Sequence, residues 1–480
     1  MTPTAAEDLA FSSVVELAGL VRARKMSPVE LVRAYLARIE RLDARLRAYI
    51  TVLPEAALEA GRRAEAAVMR GGPLGPPLGP LHGVPYAVKD QFDTAGVATT
   101  AGSRILEHNI PIEDATVVAR IGAAGGILLG KLNLTEFALG GTRRFPFGQP
   151  RNPWNTDHDP GGSSSGSGIA VAAALCAASL GEDTGGSVRS PASWCGVVGL
   201  RPTWGRVSRY GSFPLSWSMD TAGPLTRTVE DAAFMLGVIA GSDPRDPLTS
   251  RRPVPDYSAA LHDGVRGLRI GIIRELTFGA ETDVEVREAV TAAARRLEGL
   301  GAAVEETSLP LVLLAGAIFM ALADADGAGV HQHWLRTRPM DYDEGTRKRL
   351  LTASLIPSAA GQQAARARAL LRAQLHAALA QYDLLLCPTA HQAAPPIAAG
   401  QAPITSRAEV ADRFFTRRSY VTPAALAGTP AIALPCGFTS AGLPISLQLI
   451  GRPFDEPTVL RAARAYEQAT DWARRRPPLG

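Results

Sequence analysis

Three short segments of this 480-residue chain carry side chains able to do acyl-transfer chemistry. Gly161-Gly162-Ser163-Ser164-Ser165-Gly166-Ser167-Gly168 and Asp183-Thr184-Gly185-Gly186-Ser187-Val188-Arg189 place Ser163 and Ser187 24 positions apart, each beside paired glycines. The third, Gly83-Val84-Pro85-Tyr86-Ala87-Val88-Lys89-Asp90, ends a strand-like apolar run on a lysine. Only four of the 50 Lys and Arg residues are lysines, at 25, 89, 131 and 348, so a lysine here stands out. Arginine stays protonated at any working pH, whereas a buried lysine can lose its proton and act as a base. A hydroxyl, in turn, is a weak nucleophile until a base removes its proton.

The order lysine, Gly-Gly-Ser163-Ser, Asp-Thr-Gly-Gly-Ser187-x-Arg resembles the amidase signature family. The likeness runs through Gly130-Lys131-Leu132-Asn133, Asn152-Pro153-Trp154, Pro191-Ala192-Ser193, Gly196-Val197-Val198-Gly199-Leu200, Thr228-Val229-Glu230-Asp231 and Gln448-Leu449-Ile450-Gly451. The resemblance implies an α/β protein of amidase signature fold, with a central mixed β-sheet covered by helices on both faces. It implies that neutral Lys89 takes a proton from Ser163, which takes one from the nucleophile Ser187. Backbone N–H groups of Thr184, Gly185, Gly186 and Ser187 would form the oxyanion hole, where two glycines let the backbone approach closely. It also implies a cis peptide bond at Gly162-Ser163 and no cofactor or metal. Asp183 and Arg189 read as braces of the nucleophile turn.

The elements that must hold these groups are legible in outline. Ile169 to Leu180 is apolar all round and reads as a buried helix between the two serine turns. Ser13-x-x-Glu16 and Ser27-Pro28-Val29-Glu30 are helix starts, and Thr228 caps a helix expected to stop at Gly241. Gly71 to Pro77 reads as a rigid turn-rich connection. Leu268–Ile273, a helix near Val284 to Leu300 and Ala303–Thr307 form an expected β-α-β unit, residues 311 to 381 read as helical, and 384–388 and 431–435 read as strands. The expected organisation is one domain over 1–480: N-terminal helices to 70, a signature core over 75–240, and a second subregion over 256–480 that completes the sheet and pocket, after a proline-rich boundary at Asp243 to Pro255.

Composition narrows the class further. A net charge of +4 from 50 basic and 46 acidic residues calls for no nucleic-acid partner, and Arg474-Arg475-Arg476 reads as a solvated tail. The N-terminus shows no signal-peptide pattern and no 18-residue apolar run is apparent, so no membrane association is expected. Cys176, Cys195, Cys387 and Cys436 form no CxxC pair and read as buried free thiols of a reducing cytoplasm. Gly125 to Lys131 mimics a phosphate-binding loop but has Leu132 where the magnesium-binding hydroxyl must be. His331-x-His333 lacks the spacing of a zinc site and reads as surface or pocket-lining.

The expected activity is cofactor-independent hydrolysis of carboxylic amide C–N bonds through an acyl-Ser187, with ester or carbamate (urethane) side activity. The partner is a small-molecule amide, and a homodimer is kept open. Two alternatives stand beside it: the glutamine-hydrolysing A subunit of tRNA-dependent amidotransferase, whose likeness includes Arg206-Val207-Ser208-Arg209-Tyr210-Gly211, and a non-catalytic scaffold. Where that amidotransferase component tends to be acidic and polar, this chain has Arg143-Arg144-Phe145-Pro146-Phe147. Arg143, Phe145 and Phe147 are therefore the expected substrate-binding residues, favouring aryl or bulky amides. Leu313, Leu314, Ile318, Phe319 and Met320 read either as an apolar wall of the pocket or as a plain core helix.

Overall fold

A computed structural model describes residues 8–70 and 78–479. The connection at Gly71 to Pro77 lies outside the described residues. Ser13 and Ser27 do cap helices, α1 (Val14–Arg22) and α2 (Pro28–Leu46), each hydroxyl accepting the backbone N–H three residues on.

Among the described residues, eleven strands form one sheet. In chain order they are β1 (Tyr49–Val52), β2 (Pro85–Lys89), β3 (Ile127–Leu132), β4 (Ala178–Glu182), β5 (Val198–Arg201), β6 (Ala222–Thr226), β7 (Arg269–Ile273), β8 (Ala303–Thr307), β9 (Leu384–Pro388), β10 (Ala431–Phe438) and β11 (Pro444–Gly451). The order across the sheet is β1-β3-β2-β4-β6-β5-β10-β11-β9-β7-β8. β2 runs parallel to β3 and β4, and β7 to β8 and β9; the other pairings are antiparallel, so the sheet is mixed. Helices flank it. β5 beside β10 joins the strands of the first 240 residues to those of the rest without a break. The strands are largely buried apolar runs, as expected of a sheet covered by helices.

Between the two serine turns the structure differs from the expected single helix. The helix α3 starts earlier, at Ser165, and ends at Ala172; Ala174 turns with φ +51°, and Ala178–Glu182 is strand β4. A segment buried on every side has no amphipathic period, so a helix followed by a strand reads as one helix. This matters for the site, because Ser163 precedes α3 and Ser187 follows β4. The short helix α4 (Arg189–Cys195) then carries the chain into β5. The Thr228 cap is present, heading α5 (Val229–Ile239), and the β-α-β unit closes through α6 (Val284–Gly299).

One helical stretch, Pro310–Thr337, is long and apolar enough to cross a membrane by length and composition, with mean hydropathy 1.8. This corrects the expectation that no apolar run of 18 residues is present; Asp324 and Asp326 lie within the stretch. Half of its most apolar window is buried. Its main part, α7 (Ala315–Thr337), packs against α8 (Glu344–Ala353), α9 (Ser358–Gln381) and α10 (Arg417–Ala427).

Candidate active site

Lys89 ends β2 wholly buried, and its Nζ lies 2.7 Å from Ser163 Oγ. Ser163 is also buried, and the Gly162–Ser163 peptide bond is cis. Its carbonyl accepts from Thr135 N at 3.2 Å, and Ser164 N donates to Ser187 O at 3.3 Å, tying the two serine turns together. Ser187 and Gly185 are partly exposed while Lys89 and Ser163 are not. A substrate can therefore reach the outer serine, and the lysine lies behind it.

Burial lowers the Lys89 ammonium to about 8, while Glu182, Asp220 and Asp183 pull it upward. The nearest carboxylate oxygen, Glu182 Oε2, stands 3.6 Å from Nζ. At mildly alkaline pH the amine is thus available as a base toward Ser163.

The turn that carries Ser187 is braced by Asp183. Its carboxylate takes Arg189 Nε at 3.1 Å and Nη2 at 3.0 Å, Arg201 Nη1 at 3.0 Å, and the N–H groups of Gly186 and Val188 at 2.7 and 3.2 Å. Burial alone would raise this carboxyl, but Arg189 and Arg201 outweigh it and hold it well below the usual carboxylate range. Arg189 is fixed in turn by Gln448 Oε1 on β11 at 2.9 Å, so the second half of the chain supports the turn.

The Asp183 contact changes the expected oxyanion hole. The Gly186 N–H is committed to Asp183, whereas among the described residues the N–H groups of Thr184, Gly185 and Ser187 donate to no protein acceptor. Three donors of the expected four are therefore free for a substrate oxygen. Both glycines allow a close approach: a Cβ at Gly185 would lie 2.4 Å from the Phe319 ring, and one at Gly186, where φ is +119°, 2.3 Å from Val421. Phe319 of α7 and Val421 of α10 thus cover the turn. Arg418 stacks over Phe319 at 5.0 Å, and Asp324 pairs with the nearby Arg349. Of the five candidate wall residues, Phe319 reaches the turn, while Leu313 and Leu314 are half exposed.

Arg143, Phe145 and Phe147 are partly exposed. The backbone N–H groups of Arg143 and Arg144 donate to Asp343 at 3.1 and 2.8 Å, and Asn133 Nδ2 donates to Gly148 O at 2.9 Å. The link of this segment to the serines is indirect, through Thr142, Glu136 and Thr135. Lys131 lies in β3 and directs its ammonium at Asp90, Phe92 O and Thr99, so the Gly125 to Lys131 stretch is a turn and strand rather than a phosphate loop.

His331 corrects the surface or pocket-lining reading. It is buried among Phe137, Phe213, Trp334 and Tyr342, with Nδ1 2.9 Å from the Tyr342 hydroxyl, and burial lowers its imidazole to about 4. A cavity of about 660 Å³ lined by Trp204, Arg368, Arg372 and Phe454 does not include Lys89, Ser163 or Ser187. The chemistry, not cavity size, marks the site. Sequence reading missed Glu182 and the pairing of Asp220 with Thr184; the only signal was an acid at the end of the strand run Ala178–Glu182, next to Asp183.

A family model for amidases matches residues 30–460, and the chain belongs to the amidase signature family. It is 42% identical to the A subunit of the glutamyl-tRNA(Gln) amidotransferase of Moorella thermoacetica, over 98% of this chain and 99% of that protein. Among solved structures, it resembles a bacterial aryl acylamidase of the same family (28% identity, TM-score 0.87, covering 97% of each chain). The native peptide amidase of Stenotrophomonas maltophilia is similar as well (35% identity, TM-score 0.83, covering 97% of this chain and 98% of that one).

Proposed function

We propose that this chain hydrolyses carboxylic amides through an acyl-Ser187 intermediate. The observation that carries the reading is the 2.7 Å contact of a wholly buried lysine with Ser163 behind an accessible Ser187. Neutral Lys89 takes the Ser163 proton, Ser163 takes the Ser187 proton, and Ser187 Oγ attacks the carbonyl carbon. The N–H groups of Thr184, Gly185 and Ser187 hold the resulting oxyanion. Return of the proton along the same path releases the amine, and water then attacks the acyl-serine. Esters and carbamates enter by the same acyl-enzyme. Four buried free cysteines support a reducing, cytoplasmic setting.

Two substrates divide the reading. Identity of 42% along the whole chain supports glutamine, with partner subunits and a charged tRNA as the acceptor side. The Arg143-to-Phe147 segment and Phe319 against the nucleophile turn support a free-standing amidase acting on aryl or bulky amides. Overall similarity weighs toward glutamine, and the local departure weighs against it. The purified chain, assayed with an anilide, an aliphatic amide, a carbamate and glutamine, separates them. Glutamine preference, or activity only with added subunits, supports the amidotransferase reading; anilide turnover by the chain alone supports the amidase reading. No turnover of any of them, with Ser187 unreactive, leaves the scaffold.

A further inference from the structure

Two buried carboxyls beside the nucleophile turn have no task in the reaction above. Glu182 closes β4 and Asp220 precedes β6. Both are within 2.8 Å of one atom, Thr184 Oγ1, which meets Glu182 Oε1 on one side and Asp220 Oδ1 on the other. A threonine hydroxyl has one proton to donate. It can satisfy one carboxylate, so the other carboxyl must itself carry a proton and donate it to Oγ1; two anions facing one hydroxyl in a dry site would be left with unmatched charge.

The surroundings say where that proton rests. Asp220 accepts the N–H of Leu215 at 2.8 Å and of Ser216 at 2.9 Å, contacts that favour its anion. Glu182 Oε2 has no hydrogen-bond partner among the described residues and faces Lys89 Nζ at 3.6 Å. While Lys89 is neutral, Asp220 is the better place for the charge and Glu182 for the proton. Once Lys89 becomes an ammonium, the preference reverses.

We propose that Glu182 and Asp220 share a single carboxyl proton, relayed through the Thr184 hydroxyl, whose place shifts from Glu182 to Asp220 as Lys89 gains its own proton, making Glu182 the positioning residue that sets when Lys89 can act as a base. The Glu182 O–H bond breaks as its proton passes to Thr184 Oγ1, and the proton already on Oγ1 passes to Asp220 Oδ1. The trio keeps two protons, one on the hydroxyl and one on a carboxyl, and one negative charge throughout. What changes is the distance of that charge from Lys89. Burial, the largest influence on both carboxyls, pushes each above its ordinary value. The other charged groups that face the trio are Asp183, Arg189 and Arg201, already matched to one another, and Asp326 of α7, which accepts from the Ser216 hydroxyl at 2.7 Å.

This inference rests on Lys89 being the base of the proposed reaction, and its test is separable from that reading. Sulfonylation of Ser187 by phenylmethylsulfonyl fluoride reports the nucleophile without assuming a substrate. In the full-length chain the rate should rise with pH as Lys89 loses its proton. Glu182→Gln keeps the size and can still donate to Thr184 but can never become an anion. Its alkaline-rising limb should move down by about one pH unit or more, with a plateau at least about tenfold lower because the ammonium is left without a countercharge. Asp220→Asn should do the opposite: with no neighbouring anion to keep Glu182 protonated, Glu182 ionises against Lys89 and the limb moves up. Infrared difference spectra should show a neutral buried carboxylic acid in the wild type and lose that band in Glu182→Gln.

A purely structural role would lower the plateau or the melting temperature in both variants and leave the limb in place. An unmoved limb in either folded variant, or a wild type without the neutral carboxyl band, overturns the proposal. If either variant fails to fold, the band and the other variant's limb still decide. Failure to label Ser187 in the wild type would instead overturn the reaction itself.

Discussion

Lys89 and Lys131 sit on neighbouring strands of one sheet, both with no exposed surface, and only one of them is free to change its charge. Val88 is in register with Lys131, and alternation along a strand sends Lys89 to the opposite face. On its face Lys131 donates to Phe92 O at 2.8 Å and Thr99 Oγ1 at 2.6 Å and forms an ion pair with the Asp90 carboxylate, Oδ1 at 3.1 Å. Burial drives Lys131 toward its neutral form, and Asp90 is the main force holding it charged. Lys89 instead has a hydroxyl at 2.7 Å and its nearest carboxyl oxygen at 3.6 Å. A buried cation surrounded by acceptors is held as a brace, and a buried amine facing a hydroxyl is placed where the proposed reaction needs its base. Spacing in the sequence cannot distinguish the two; the acceptor set can.

The largest effect that would break this comparison is at Lys89. Lys89→Arg keeps a positive charge but cannot accept a proton, so amide hydrolysis should fall by at least about 10³-fold, as should Lys89→Ala, with the melting temperature of the arginine variant nearly unchanged. Ser187→Ala should be as severe, and a sulfonyl fluoride should label Ser187 rather than Ser163 or Ser165. In the wild type, activity belongs to the neutral amine, so the rate should climb as pH passes about 8 and level off above it. An active arginine variant would make Lys89 a second brace.

Lys131 should fail in stability rather than in rate. Lys131→Met strands the Asp90 carboxylate in the core and should cost about 3–5 kcal/mol in denaturant unfolding, while the folded fraction keeps its labelling rate at Ser187. A slower labelling rate in folded Lys131→Met would show that the brace also tunes the base.

A smaller effect tests the cover over the nucleophile turn. Gly185→Ala drives a methyl group into the Phe319 ring and must shift either the ring or the free N–H groups of the turn, for a loss of about 10- to 100-fold in kcat. Phe319→Ala in the same chain should restore part of that loss. No restoration would place the damage in the glycine backbone alone.

What the sequence made legible follows from how local each signal is. Ser163, Ser187 and Lys89 stand in glycine- or strand-marked segments whose chemistry is written in residue types, and the helix caps at Ser13, Ser27 and Thr228 are contacts three residues long. Glu182 and Asp220 meet only because β4 pairs with β6, and the Thr184–Asp220 contact spans 36 positions, a distance that no short pattern encodes. The cover by Phe319 and Val421 depends on two distant helices. His331 looked peripheral because a His-x-His pair read along the chain gives no hint of the aromatic cluster that encloses its first member.

The smallest expected effect asks how far the catalytic region extends from Lys89. Phe145 and Phe147 are joined to Ser163 by a chain of contacts: Arg143 and Arg144 hold Asp343, the Asp343 N–H donates to Glu136 at 2.9 Å, the Glu136 N–H donates to Thr142, and Thr135 N donates to Ser163 O. If the rings also touch substrate, Phe145→Ala or Phe147→Ala removes a partly exposed aromatic contact worth about 1 kcal/mol, roughly fivefold in kcat/KM for an anilide and carried by KM. Acetamide is too small to reach either ring and should be unaffected. If the segment acts only through Asp343 and Glu136, an anilide and acetamide should lose equally and through kcat, because what moves is Ser163. The ratio of the two substrates, more than either rate, decides whether this segment belongs to the pocket or to the brace.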